Sequence, residues 1–74
     1  MAIDYIKLAQ YSECRAKLLK EASVLASIAK EKAWKEGDVH TWSVLDFAEE
    51  HLRREAREAD NEALEFRLTP HTEE

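Results

Sequence analysis

The stretch KAWKEGDVHTW, residues 32–42, decides how this chain folds. It holds the single glycine of the 74 residues, Gly37, between Trp34 and Trp42. Lys30, Lys32 and Lys35 gather just before that glycine, where cations complement the carbonyl end of a helix. Gly37 itself suits the left-handed position that follows a helix end. Beyond it, Ser43 stands three residues before Asp46, a capping-box arrangement, and Trp42 and Phe47 have hydrophobic-staple spacing. Thr41 is the other candidate cap. The stretch therefore reads as one helix ending, a loop over about 37–42, and a second helix starting at 43.

Working outward toward the N-terminus, the first helix is predicted over 4–36, with Asp4 as its cap and Ile3 and Leu8 at staple spacing. Leu8, Tyr11, Leu18, Leu19, Ala22, Leu25, Ala26, Ala29 and Ala33 fall on one stripe at about 100° per residue, the pattern of an amphipathic helix. Toward the C-terminus, the second helix is predicted over 43–68. Leu45, Ala48, Leu52, Ala56, Ala59, Ala63 and Phe66 form a coiled-coil-like seam, whose alanines imply close approach. Pro70 cannot continue a helix, so 69–74 is expected to be a frayed tail. Two long helices joined by a short loop run antiparallel. The expected fold is all-α: one domain, a two-helix hairpin.

A hairpin of this size leaves apolar surface uncovered. Ile3, Ile6, Val24 and Ile28 lie off the main stripe, and Leu64 and Leu68 lie off the second seam. Such surface marks an association face, and chains this short often depend on a partner subunit. The economical arrangement is a homodimer forming a four-helix bundle. Leu8, Leu18, Leu25, Leu45, Leu52 and Phe66 are the expected core and dimer seam. Arg15 interrupts the first stripe, and antiparallel pairing places it opposite the region of Glu62, which makes Arg15–Glu62 the candidate buried ion pair.

Charge narrows the functions. Residues 1–37 carry seven Lys/Arg and five Asp/Glu, whereas residues 38–74 carry four and eleven. A net charge of −5 disfavours nucleic-acid binding, which needs a concentrated basic surface. Three arginines, Arg53, Arg54 and Arg57, break up the acidic half and weaken a DNA-mimic reading. The same negative charge and the mixed helix faces disfavour anionic membranes. A single cysteine, Cys14, with no signal-peptide pattern and no long apolar run, suits the cytoplasm.

Chemistry has little to stand on. His51 and Glu55 are one turn apart, and Glu58, Glu62 and Glu65 continue along the same helix. Bundle metal sites draw their ligands from facing helices, and the first helix offers mainly lysine and alanine. No nucleophile elbow or glycine-rich phosphate loop is present. The sequence therefore predicts no catalytic, cofactor-binding or metal-binding residues. It points to a protein-binding regulator of inhibitor, anti-activator or adaptor type, or alternatively to a subunit of an obligate helical complex. Trp34, Trp42, Val24 and Ile28 are the candidate partner surface, since aromatics concentrate binding energy.

Overall fold

The structure, a computed structural model, describes residues 3–69 as two antiparallel helices, α1 (Tyr5–Lys35) and α2 (Val39–Leu68). Together they make a rod of 60 × 17 × 13 Å. Asp4 caps α1 as the sequence predicts, its carboxylate accepting from the Lys7 amide at 3.1 Å. At the far end Gly37 takes φ +76°, a conformation costly for any residue with a Cβ. The Gly37 amide donates to the Trp34 carbonyl at 3.1 Å, and the Asp38 amide donates to the Ala33 carbonyl at 2.9 Å. These two bonds form a Schellman closure, which satisfies the carbonyls the helix leaves open.

The bend is tighter than the sequence suggests. Asp38, rather than Ser43 or Thr41, caps α2: its carboxylate accepts the Thr41 amide at 3.0 Å and the Thr41 hydroxyl at 2.7 Å. One residue thus closes the end of α1 with its amide and opens α2 with its side chain. Trp42 then lies inside α2, its amide donating to the Asp38 carbonyl at 3.0 Å. The Trp42–Phe47 staple is not formed, and Phe47 is 77% exposed. α2 stops at Thr69, whose amide and hydroxyl both donate to the Glu65 carbonyl. Pro70 and the predicted tail over 70–74 lie outside the described residues.

The helices meet along small side chains. On α1, Tyr5, Ala9, Ser12, Ala16, Leu19, Ser23, Ala26, Lys30 and Ala33 recur at alternating steps of four and three and are buried or half-buried. On α2 the matching series is Trp42, Leu45, Glu49, Leu52, Ala56, Ala59, Ala63 and Phe66. Both are heptad seams. Ala9, Ala16, Ala33, Ala56, Ala59 and Ala63 are buried, with Ser12, Ser23 and Glu49 as the buried polar residues. The hydroxyls are satisfied: Ser12 donates to Glu62 Oε1, and Ser23 donates to the Lys20 carbonyl, both at 2.8 Å. Phe66 closes the open end against Tyr5, with ring centroids 6.2 Å apart.

Of the expected α1 stripe, Leu19, Ala26 and Ala33 lie on the seam, whereas its other leucines need correction. Leu18 and Leu25 are 60% and 67% exposed, and Leu8 is exposed too, so these leucines are not in the core of the hairpin. Leu8, Leu18 and Leu25 sit on the flank instead, and small alanine and serine side chains hold most of the α1 contact positions. On α2, Leu45, Leu52 and Phe66 do lie on the seam, half-buried.

The two flanks of the seam differ. One carries ion pairs between helices: Glu13 with Arg67 in a two-pronged contact at 2.7 and 2.9 Å, Lys20 with Asp60 at 2.8 Å, and Lys30 with Asp46 at 2.9 Å. The other has, among the described residues, one loose pair between helices, Arg15 with Glu55 at 3.8 Å. On that second flank Leu8, Tyr11, Arg15, Leu18, Ala22, Leu25 and Ala29 recur at steps of three and four. They form a second heptad row beside the first.

Candidate functional site

The closed end of the rod concentrates the unusual side chains. The Schellman turn brings the last turn of α1 beside the first turns of α2, so the Trp34 and Trp42 rings meet at a tilt, with centroids 5.7 Å apart and planes inclined by 54°. Trp42 is half-buried on the seam, whereas Trp34 is 62% exposed. Lys30 stands 5.7 Å from the centroid of the Trp42 ring, within cation–π range. Ser27, Lys30, Glu31, Trp34 and Trp42 line an open cleft of about 450 Å³. Ser27 and Trp34 share the helix column of Glu13 and Lys20, so the cleft opens on the ion-paired flank.

Val24 and Ile28 are exposed one to two turns further along α1. Residues three and four apart on a helix are neighbours, so Val24, Ile28, Glu31 and Trp34 belong to one continuous surface. All four residues predicted as a partner surface thus fall within or beside the cleft.

A charged cluster braces the cleft from below. Glu49 sits on the seam only 3% exposed, receives Lys30 Nζ at 2.7 Å, and pairs with Arg53 one turn along its own helix. The Lys30 hydrogen bond holds the Glu49 carboxyl below the usual glutamate range, against the opposing effect of burial. Reciprocally, hydrogen bonds to Glu49 and Asp46 raise Lys30 above the usual lysine range. The ammonium is fixed as a cation under Trp42, and the cleft floor presents a ring face and a positive charge side by side. The sequence pattern passes over Glu49 because a carboxylate interrupts the apolar series there. The heptad count from Leu45 to Leu52 is the signal that could have placed it on the seam.

Arg15 and Glu62 are not partners. Arg15 is half-buried on the flank and its closest carboxylate is Glu55. Glu62 instead accepts from Ser12. The seam heptads stagger the helices so that Arg15 reaches a carboxylate two turns short of Glu62, nearer the closed end.

Among the described residues no three His, Cys, Asp or Glu side chains converge as metal ligands. His51 is exposed, and so is Cys14. No helix among the described residues is long and apolar enough to cross a membrane. No known protein family, curated protein or solved structure matches this chain.

Proposed function

We propose that this chain is a non-catalytic, protein-binding regulator that works in the cytoplasm as a homodimeric four-helix bundle and docks its aromatic end on a larger protein. The observation that carries the reading is the tryptophan cleft. A ring that is more than half exposed, set against a second ring above a fixed cation, costs hydration without serving the hairpin seam. Such rigid aromatic surface is the usual anchor of a protein interface. Lys30 and Glu31 in its lining suit an apolar side chain of the partner flanked by polar or charged groups.

The test is affinity capture from the native cell with wild-type protein and with Trp34→Ala. Trp34 lies off the seam, so the variant keeps its helicity. A partner recovered by the wild type and lost by Trp34→Ala supports the reading. A partner retained by that variant, or a well-folded dimer that recovers none, overturns it.

A second reading, a subunit of an obligate helical complex, is favoured by the composition of the core. No leucine-sized side chain is fully buried among the described residues. Under this reading the isolated chain lacks a cooperative thermal transition, whereas a regulator that acts on its own has one.

A further inference from the structure

Among the described residues, nothing in the hairpin covers the apolar row on the loosely paired flank. We infer that a second copy of this chain covers it, pairing the two α1 helices antiparallel about a two-fold axis beside Ala22. The inference rests on the homodimer proposed above and names its interface.

Three observations point to a second copy rather than a foreign partner. The first is area. A compact monomer of 8.6 kDa exposes about 4,700 Å², while this chain exposes 5762 Å². The rod is long and thin, 60 × 17 × 13 Å, so the extra surface is spread along its faces. The leucine row is one such face, and a second copy seated there can bury the ~800 Å² per partner of a stable interface.

The second is self-complementarity. A two-fold interface requires that if one residue meets another, the second also meets the first. Leu18 and Leu25 stand either side of Ala22, both widely exposed. An antiparallel axis at that point sets each Leu18 on the partner's Leu25, with the alanine allowing close approach. The same axis brings Tyr11 to the level of the partner's Lys32, one heptad beyond the leucines.

The third is charge along the rod. On this flank the closed end of α1 carries Lys32, in the column of Leu18 and Leu25, and the open half of α2 carries Glu55, Glu58 and Glu62. Antiparallel copies set Lys32 of one near the glutamates of the other on this flank, whereas parallel copies would gather the glutamates together. The ion-paired flank and the tryptophan cleft then face outward on both protomers, free for another protein.

The experiment is sedimentation of wild type, Leu18→Asp and Val24→Asp at roughly 10–100 µM, concentrations that populate a dimer of micromolar or tighter affinity. Val24 is as exposed as Leu18 but lies on the opposite flank. The expected result is a dimeric wild type and Val24→Asp and a Leu18→Asp population at least tenfold more monomeric. A monomeric wild type removes the homodimer altogether. A dimer broken by Val24→Asp and spared by Leu18→Asp leaves the homodimer standing and overturns this interface.

Should Leu18→Asp unfold, cross-linking in a Cys14→Ser background decides the matter. A mixture of Leu18→Cys and Leu25→Cys chains should oxidise to the mixed disulfide in preference to either self-pair. Equal self-pairing, or no linkage in a dimer, overturns the antiparallel arrangement.

Discussion

At the scale of single residues, the bend depends on Gly37 and Asp38. A Cβ built on Gly37 meets nothing within 4 Å, so Gly37→Ala tests backbone conformation alone. The expected loss is about 1 kcal/mol, the cost of an L-residue in the left-handed region, read as a lower urea midpoint with unchanged slope. Carboxyls at this scale also set the pH response. Hydrogen bonds from Arg67, from Thr41 and from Lys30 hold Glu13, Asp38 and Glu49 respectively below their usual values of 4.5, 3.8 and 4.5. A depressed native value means that the stabilisation is complete above the unfolded value and is lost as pH falls through the native one. Stability should therefore be level from pH 7 down to about 5 and decline below 4.5. Urea unfolding at stepped pH checks this, and Glu49→Gln should be less stable at neutral pH with a shallower decline in acid. Lys30, raised above 10.5, contributes in full below that value and loses its contribution as pH climbs past it.

At the scale of elements, the two helices differ in how plainly their sequences announce their packing. On α2 the large apolar residues Leu45, Leu52 and Phe66 lie on the seam itself, so periodicity leads directly to it. On α1 the most hydrophobic row, through Leu8, Leu18 and Leu25, is the wrong row for the hairpin. The seam runs instead through Ala9, Ser12, Ala16 and Ser23, residues chosen for size rather than hydrophobicity. Amphipathic reasoning ranks residues by apolar area and passes over a contact whose main requirement is that little protrudes. The bend was legible for the complementary reason: Gly37 has one conformational use, and the structure employs it. Its exact length was not, because Asp38, Thr41 and Ser43 are all competent caps and only the Schellman closure selects the first. A seam selected for small size predicts its own fragility. Ala16 and Ala59 are buried with almost no exposed area on facing helices. Ala16→Leu forces the helices apart or the side chain off its rotamer, at a cost of about 1–3 kcal/mol. For a domain of this length each kcal/mol lowers the thermal midpoint by roughly 4–8 °C. Glu21→Leu places the same side chain on the same helix, exposed and outside both the seam and the leucine row, and there the hairpin should lose far less. Calorimetry on the pair separates close packing from helix propensity, which both substitutions leave nearly unchanged.

At the scale of the whole molecule, the seam and the flanks divide the work. α1 from Tyr5 to Lys35 carries seven Lys/Arg and three Asp/Glu, and α2 from Val39 to Leu68 carries four and eight, so the helices are net +4 and −4. Their attraction helps set which helix pairs with which, but the cross-helix pairs on the charged flank are largely exposed and contribute little individually. An alanine seam and exposed ion pairs give a lone rod little stability. If the leucine row supplies what is missing through a second copy, folding and association are linked, and stability must depend on protein concentration. A hundredfold rise in concentration then favours the native dimer by up to about 2.7 kcal/mol, so the thermal midpoint should climb by several degrees between roughly 1 and 100 µM. Leu18→Asp should melt lower and at a midpoint independent of concentration. Trp34→Ala, on the outward flank, should retain the wild-type dependence while losing its partner. A midpoint that stays constant for wild type over this range would place all the stability within one hairpin, and the leucine row would then contribute nothing to the fold.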